Sequence, residues 1–246
     1  MPHRPEFTTE RPALIGLIGG MSWESSAQYY RLINEGVRDR LGGVASARTL
    51  MWSFDFATIE ALQHAGDWDA LADHMADAAK ALEKGGADFL VLCTNTMHRC
   101  AEAIDAAVKI PLLHIADPTA TAIQAAGLTK VGLLGTAFTM EQDFYRGRLE
   151  DRFGLEVLVP DEDDRAAVHG IIYRELVTGQ VLDASREVYR AVIRRLVARG
   201  AQGIILGCTE IMLLIGQDDS PVPIFDTTTL HATAAVEKTL GIAPAP

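Results

Sequence analysis

Two cysteines occupy the same local setting in the two halves of this chain of 246 residues. Cys93 ends the run Asp88-Phe-Leu-Val-Leu-Cys93, Cys208 ends the run Gly203-Ile-Ile-Leu-Gly-Cys208, and a threonine follows each of them. Short apolar runs of this kind are typical of buried strands. If the two thiols face one carbon from opposite sides, one thiolate can remove an α-proton while the other thiol protonates the opposite face. Inversion of a stereocentre requires such a pair of acid/base groups.

The two-base chemistry needs thiols that ionise near neutral pH, whereas a free cysteine has a pKa of about 8.5. Each Cys-Thr pair is predicted at a strand-to-helix turn, where unpaired backbone N–H groups lower a thiol pKa and can hold a carboxylate. We expect Glu210 to orient a thiol or to accept a substrate ammonium group. Cys100 has no counterpart in the other half and is interpreted as structural. Short side chains that can hydrogen-bond a substrate follow the two cysteines: Thr94, Asn95, Thr96 and Thr209.

Strands alternate with helices along the chain, which predicts an α/β fold with mainly parallel sheets flanked by helices. Ser22 is predicted to cap a helix that ends at Leu41, and Asp117 to cap a helix that runs to Ala126. Thr139 and Gln142 fit a capping box for a helix that ends near Gly154. The predicted strands cover residues 13–20, 49–54, 88–93, 110–114, 130–135, 155–159, 203–208 and 223–225.

An internal repeat divides the chain into two similar lobes. Ile15-Gly-Leu-Ile-Gly19 matches Val131-Gly-Leu-Leu-Gly135, the two cysteine runs match, and Ile110-Pro-Leu-Leu-His114 matches Val222-Pro-Ile-Phe-Asp226, all in the same order. Ligands bind at the carboxyl ends of parallel strands, so the two thiols are expected to face a cleft between two pseudo-symmetric lobes. The predicted parts are an extension (1–12), a first lobe (13–126), a second lobe (127–228) and a closing helix (229–240) that is able to pack on the first lobe.

Composition excludes several classes of protein. The chain carries 33 Asp+Glu against 22 Lys+Arg, for a net charge of -11, which argues against a nucleic-acid partner. Three cysteines do not make a disulfide framework, so a reducing, cytoplasmic compartment is expected. Neither a signal peptide nor an apolar run long enough to span a membrane is visible, so no membrane partner is expected.

Neither a cofactor nor a metal is expected from the motifs. Gly16-Leu-Ile-Gly-Gly20 lacks the G-x-G-x-x-G spacing of a dinucleotide site. Cys93, His98 and Cys100 do not have the spacing of a zinc site. The five lysines look like solvated helix or loop residues, so none indicates a pyridoxal Schiff base. His98, His114 and His231 are candidates to line the cleft, and at least two of them are interpreted as structural.

Four motifs together make the chain recognisable. They are Gly19-Gly-Met-Ser-Trp-Glu-Ser25, Cys93-Thr-Asn-Thr-Met-His98, Met140-Glu-Gln-Asp-Phe-Tyr-Arg-Gly-Arg-Leu149 and Gly207-Cys-Thr-Glu-Ile211. Over residues 14–240 the sequence resembles the aspartate/glutamate racemase family, and most of all its bacterial broad-specificity amino-acid racemases. The resemblance implies a cofactor-independent amino-acid racemase, usually a homodimer, in which Cys93 and Cys208 are the two bases. It also implies that the substrate is contacted by Met21, Gln63, Thr94, Asn95, Thr96 and Thr136.

Two departures from the family pattern concern the substrate. Aspartate-specific relatives carry an arginine shortly after the second strand, whereas Asp55-Phe-Ala-Thr-Ile-Glu60 contains no basic residue. Many relatives also carry a lysine near the position of Ala167, where Arg165 or His169 is the candidate replacement. A homoserine-like or other neutral or polar amino acid is therefore favoured, with aspartate and glutamate kept as candidates.

Other functions stay open on the same scaffold. One is a related isomerase or a hydantoin racemase. A decarboxylase is disfavoured because two matched cysteines are present. Another is a catalytically silent module that binds a small acid, against which the intact cysteine pair argues.

Overall fold

A computed structural model describes residues 12–242, and the chain within this range forms two compact units. Unit 1 comprises residues 12–93, 100–114 and 231–242, and unit 2 comprises residues 94–99 and 115–230. The predicted N-terminal extension lies outside the described residues except for Pro12. No helix in the described range is both long enough and apolar enough to cross a membrane.

Unit 1 contains a sheet of four parallel strands in the order β2-β1-β3-β4. Its strands are β1 (Ile15–Gly19), β2 (Thr49–Ser53), β3 (Phe89–Leu92) and β4 (Leu112–Leu113). Its helices are α1 (Trp23–Leu41), α2 (Phe56–Ala65), α3 (Trp68–Lys84) and α4 (Ala101–Ala107), together with most of the last helix, α11 (Thr227–Leu240).

Unit 2 contains a second sheet of four parallel strands, in the order β6-β5-β7-β8. Its strands are β5 (Lys130–Gly135), β6 (Glu156–Leu158), β7 (Gly203–Gly207) and β8 (Ile224–Asp226). Its helices are α5 (Ala116–Ala125), α6 (Ala137–Glu141), α7 (Asp143–Phe153), α8 (Glu162–Arg174), α9 (Asp183–Ala198) and α10 (Ile211–Leu214). Single 3₁₀ turns cover Thr96–Cys100, Leu176–Thr178 and Gln217–Asp219.

The two sheets repeat one strand order, which confirms the predicted α/β class with mainly parallel sheets. The strands β1, β3, β5 and β7 are almost entirely buried, as expected of parallel strands covered on both faces. Helix α9 shows how the flanking helices cover them, because Tyr189, Val192, Ile193 and Leu196 form one buried stripe at helical spacing. Helix α3 buries a similar stripe in unit 1.

Glycine is required where β1 ends. Gly20 has a φ of 85°, in the left-handed region that side chains disfavour. A Cβ at this position would also collide with the backbone of Phe54. The chain can therefore turn sharply from β1 into the segment that leads to α1, where Ser22 Oγ accepts a hydrogen bond from the Ser25 N–H. The predicted cap of α1 is confirmed.

Several predicted helix ends were wrong. Asp117 does not cap α5, since the cap position is Ile115 and the Asp117 carboxylate instead binds Arg148 Nε at 2.6 Å. Thr139 is not a cap either. Thr136 caps α6 by accepting from the Thr139 N–H at 3.3 Å, and the backbone becomes extended at Gln142, which divides the predicted helix into α6 and α7.

Candidate active site

Cys93 lies directly after β3 in unit 1. Its N–H donates to Ile18 O on the neighbouring strand β1 at 2.9 Å, so the cysteine is held at the carboxyl end of the sheet. The side chain is completely buried, and its Sγ lies 3.8 Å from Val91 O. Burial raises the pKa of this thiol well above its ordinary value, because a thiolate loses its hydration there.

The turn after β1 places Met21 at the same end of this sheet. The Gly20 N–H donates to Ser26 Oγ at 2.7 Å, and Ser26 Oγ donates to Ser22 O at 3.0 Å. Met21, which lies between Gly20 and Ser22 in the sequence, is buried. Gln63 is buried on α2. Unit 1 therefore supplies a thiol, a thioether and an amide among the predicted site residues.

Cys208 follows β7 in unit 2, the strand that corresponds to β3 in the strand order. Its Sγ donates to Glu210 Oε2 at 3.0 Å, and Thr209 Oγ1 donates to the same oxygen at 2.8 Å. All three side chains are buried. Burial raises the pKa of Cys208 most, and the Glu210 carboxylate raises it further. The backbone N–H groups of Glu210 and Thr209 act in the opposite direction but are outweighed.

The expectation that turn N–H groups bring both thiols to ionise near neutral pH is therefore wrong for this structure. Burial is the largest influence on each thiol and opposes ionisation. None of the three cysteines forms a disulfide bond, and Cys100 is buried where α4 begins. Burial therefore favours the protonated form of each of the two predicted bases.

The loop after Cys93 belongs to unit 2, where Asn95 is held by a chain of hydrogen bonds. Asn95 Nδ2 donates to Thr227 Oγ1 at 3.0 Å, and Thr227 Oγ1 donates to Leu206 O at 2.8 Å. Asn95 is 2% exposed, yet its Oδ1 accepts no hydrogen bond from any residue of the described range. A buried acceptor without a donor is unfavourable, so this oxygen is suited to an N–H group of a ligand.

Threonine hydroxyls link the same loop to the end of β5. Thr96 Oγ1 and Thr136 Oγ1 are 3.0 Å apart, and Thr136 Oγ1 and Thr139 Oγ1 are 3.2 Å apart. Thr94 is also buried in this loop. Unit 2 therefore brings together six of the predicted site residues at the carboxyl ends of β5 and β7: Thr94, Asn95, Thr96, Thr136, Thr209 and Glu210.

Two of the three candidate histidines have structural hydrogen bonds on both ring nitrogens. His98 Nε2 accepts from the Ile115 N–H at 3.1 Å, so the proton lies on Nδ1, which donates to Thr94 O at 2.7 Å. His231 Nε2 donates to Leu113 O at 2.8 Å, so its Nδ1 accepts from Tyr29 OH at 2.8 Å. His114 is buried after β4.

The candidate replacements for the family lysine have different surroundings. Arg165 donates to Glu141 Oε1 at 3.0 Å and to Pro160 O at 2.8 Å, so its guanidinium is already engaged. His169 Nδ1 accepts from the Ala137 N–H at 3.2 Å, at the start of α6 and next in sequence to Thr136. His169 therefore lies nearer in structure to the predicted site residues of unit 2.

Sequence reasoning missed the residues after β8. Thr227 orients Asn95, and its neighbour Thr228 is fully buried. Asp226 accepts from the Thr228 N–H at 3.1 Å, and burial raises its pKa. The repeat contained the signal, since Asp226 matches His114 at the end of the equivalent strand. Within residues 12–242, no group of His, Cys, Asp or Glu side chains is arranged to hold a metal ion.

Known proteins resemble this chain over most of its length. The family described as Asp/Glu/Hydantoin racemase matches residues 18–235. The broad specificity amino-acid racemase RacX of Bacillus subtilis is 28% identical over 170 residues, which cover 69% of this chain and 73% of RacX. A glutamate racemase of Koribacter versatilis is 32% identical over 191 residues, covering 72% of this chain and 61% of that protein.

Solved structures resemble this chain in both sequence and fold. A candidate Asp/Glu racemase from Yersinia pestis is 54% identical with a TM-score of 0.87, and the match covers 93% of this chain and 99% of that one. An aspartate racemase homologue from Pyrococcus horikoshii is 33% identical with a TM-score of 0.80, covering 92% of this chain and 99% of that one. The match over residues 18–235 and the agreement with these structures lead to one conclusion: the chain belongs to the Asp/Glu/Hydantoin racemase family.

Proposed function

We propose that this protein is a cofactor-independent amino-acid racemase in which Cys93 and Cys208 are the two acid/base groups. One observation carries the proposal: the two thiols directly follow β3 and β7, which occupy the same place in two sheets of identical strand order. Relatives named as a broad specificity amino-acid racemase and a glutamate racemase support the reaction class.

In the proposed reaction, one cysteine acts as a thiolate and takes the α-proton, which breaks the C–H bond and forms an S–H bond. The other cysteine gives its proton to the opposite face of the same carbon and becomes the thiolate. Solvent then restores the starting protonation. One positioned acid/base group accelerates such a step roughly 10²–10⁴-fold, so the negative charge on the deprotonated substrate must also be stabilised.

Two features of the structure support the binding of an amino acid. The buried Oδ1 of Asn95 suits an N–H donor, and an α-ammonium group is such a donor. An incoming ammonium group also carries positive charge into a buried region, where it would favour a thiolate. Ionisation of a buried cysteine is thereby coupled to substrate binding, and the thiols stay protonated until the substrate arrives.

We propose a homoserine-like or other neutral or polar amino acid as the preferred substrate. Support comes from the absence of a basic residue in Asp55-Phe-Ala-Thr-Ile-Glu60 and from the engagement of Arg165 by Glu141. A substrate with a carboxylate side chain needs a cationic partner that is available to it. Aspartate and glutamate are the second candidates, since relatives that use glutamate are named.

The decisive experiment measures α-proton exchange in D₂O by NMR over a panel of L- and D-amino acids. Wild-type protein should exchange and racemise at least one of them, while Cys93→Ser and Cys208→Ser should each lose racemisation with retained circular dichroism. Cys100→Ser is the matched control and should stay active. Full activity in either of the first two variants would refute the two-base mechanism.

A second candidate activity is racemisation of 5-substituted hydantoins, because the family description includes hydantoin racemase. The same exchange assay with hydantoins separates the two substrate classes. If amino acids bind but neither class exchanges its proton, the protein is a silent binding module.

We also propose that the protein forms a homodimer through β2. This strand is the edge of its sheet, and Leu50, Met51 and Trp52 are exposed on it. Apolar edge strands invite pairing with another strand, and a two-fold axis would pair β2 with its own copy. Met51→Lys should therefore convert a dimer to a monomer in sedimentation analysis, whereas Leu213→Lys, at an exposed site in unit 2, should not. A monomeric wild-type protein would contradict the proposal.

A further inference from the structure

The two proposed catalytic thiols have different partners. The hydrogen bond of Cys93 Sγ goes to a backbone carbonyl at 3.8 Å, and burial is the cause that raises its pKa. Cys208 Sγ instead donates to a carboxylate oxygen at 3.0 Å. The structure therefore places a buried acid beside one thiol of an otherwise matched pair.

We infer that Glu210 is a positioning residue that holds Cys208 as a protonated, oriented thiol, so that Cys208 enters the reaction as the proton donor. The catalytic part of this inference rests on the proposed racemase function. Cys93 is then the thiol that ionises when the substrate binds, and the enantiomer whose α-proton faces Cys93 reacts while Cys208 is still protonated.

The contacts of Glu210 Oε2 carry the inference. This single oxygen accepts from Cys208 Sγ at 3.0 Å and from Thr209 Oγ1 at 2.8 Å. An oxygen that accepts two hydrogen bonds is the unprotonated oxygen of the carboxyl group, so the sulfur supplies the proton of the S–H···O bond. Glu210 is 4% exposed and Cys208 8% exposed, which leaves water little access to compete for that bond.

The neighbouring ionisable groups do not favour a thiolate at Cys208. Tyr189 on α9 is fully buried and its pKa is raised, first by burial and then by Cys208, Glu175 and Glu210, so it stays neutral. Glu175, which follows α8, is a further acid near Tyr189. The surroundings of Cys208 are therefore acidic or neutral, and they disfavour a second negative charge on sulfur.

The proton balance of the cycle follows from this state. Cys93 thiolate takes the α-proton, and Cys208 breaks its S–H bond to protonate the opposite face of the carbon. Cys208 is then a thiolate beside the Glu210 carboxylate, an unfavourable pair of like charges. Cys93 has already lost one proton on substrate binding, so uptake of one solvent proton by Cys208 restores the resting enzyme with both thiols protonated, and the like charges favour that return.

The test is the pH dependence of alkylation by iodoacetamide, followed at each cysteine by peptide mass spectrometry. Only the thiolate reacts, so the midpoint of the alkylation profile reports ionisation. In Glu210→Gln, which keeps the shape of the side chain and removes its charge, the Cys208 midpoint should fall. Cys208 should therefore react at least about tenfold faster at neutral pH, which corresponds to one pKa unit. Cys93 is the reference within the same molecule, and Glu162→Gln, at an exposed position, is the matched charge control.

An unchanged or higher Cys208 midpoint in Glu210→Gln would overturn the inference. If that variant does not fold, Thr209→Val tests the same pair, because it leaves the carboxylate more basic and should raise the Cys208 midpoint. An unchanged midpoint there would count equally against the inference. Glu210→Asp keeps the charge and should stay closer to wild type than Glu210→Gln.

Kinetics give an independent readout. Two enantiomers have equal free energy, so kcat/KM must be the same in both directions. In the pH profile of kcat/KM, however, the fall in activity at alkaline pH, the alkaline limb, should move to lower pH in Glu210→Gln. A merely structural role would lower the rate without moving that limb. Failure of wild-type protein to exchange any α-proton would refute the proposed function, whereas the alkylation result would still decide the Cys208–Glu210 pairing.

Discussion

Asn95 Nδ2 donates to Thr227 Oγ1 across 3.0 Å, joining two residues that are 132 positions apart in the chain. Thr227 Oγ1 uses its own proton for Leu206 O, so it can only accept from Asn95. This direction fixes which end of the Asn95 amide points away from Thr227. The carbonyl Oδ1 is left as the acceptor that we assign to the substrate ammonium group.

Replacing Thr227 with valine should weaken both the fold and catalysis. The change removes the acceptor for Asn95 and the donor for Leu206 O, which should cost about 1–3 kcal/mol of unfolding free energy. The Asn95 amide would also lose its fixed orientation, and kcat/KM should fall roughly tenfold, because one binding contact of about 1.4 kcal/mol corresponds to that factor. Urea unfolding and racemisation kinetics measure the two effects. The control Thr121→Val, at an exposed site on α5, should change neither the unfolding free energy nor kcat/KM. A Thr227→Val protein with wild-type kcat/KM would contradict the role of Asn95.

His98→Leu should loosen the loop that carries Thr94, Asn95 and Thr96. Leucine cannot accept from the Ile115 N–H or donate to Thr94 O, so two buried backbone groups lose the bonds that they make with the ring. The expected loss of unfolding free energy is about 2–4 kcal/mol, as the sum of two such bonds. Thermal unfolding measures it, with His64→Leu, at an exposed position on α2, as control. Equal melting temperatures for the two variants would show that His98 is dispensable.

Tyr29→Phe isolates one hydrogen bond inside unit 1. Tyr29 OH donates to His231 Nδ1 at 2.8 Å between two fully buried side chains. Loss of the hydroxyl should reduce the unfolding free energy by about 1–2 kcal/mol. The neighbouring Tyr30 is 52% exposed, so Tyr30→Phe makes the same chemical change where water replaces the bond. Chemical denaturation should separate the two variants, and identical midpoints would be evidence against a stabilising role for this bond.

Asp219→Asn should destabilise unit 2 in a pH-dependent way. Burial alone would raise the Asp219 pKa, but the Gly216 N–H and the Arg190 and Arg186 guanidinium groups outweigh it, and the pKa is lowered. A lowered folded-state pKa stabilises the fold above the unfolded value of about 3.9, and this contribution is lost as the pH falls through the folded value. The variant should therefore be about 2–4 kcal/mol less stable at neutral pH.

Melting temperatures measured from neutral to acidic pH test this prediction. The difference between wild type and Asp219→Asn should be constant down to about pH 4.5 and shrink below it, as follows from the ordinary aspartate pKa. Asp218→Asn changes the exposed neighbour and should show no such pattern. A difference that does not depend on pH would mean that the charge of Asp219 is not what stabilises this segment.

Much of the architecture could be predicted, because the apolar patterns that indicate strands and helices are local in the sequence. The run Lys130–Gly135 is a strand with the predicted bounds, and α1 ends at Leu41 as predicted. Capping was less predictable. Asp117 has the residue type of a cap, but the bond to Arg148, 31 positions away, uses its carboxylate for a tertiary contact.

The candidate site, like the fold, could be predicted from the sequence only in part. The internal repeat singled out Cys93 and Cys208, because equivalent strand ends in a repeated sheet carry equivalent residues. Thr227 could not be assigned from the sequence, since its importance depends on the loop of Asn95 lying against the end of β7. Sequence alone also suggested lowered thiol pKa values, because local turn geometry was visible and burial was not.

The sequence by itself determined the fold class and the repeat, and it singled out the two thiols that we propose as bases, since each follows from residue types at fixed spacing along the chain. Tertiary structure decided the electrostatic character of those thiols. Burial and the carboxylate of Glu210 raise the pKa of Cys208, while Cys93 has a backbone carbonyl as its hydrogen-bond partner. Solvation and partner geometry depend on the packing of distant segments, and two thiols that match in sequence thereby differ in chemistry.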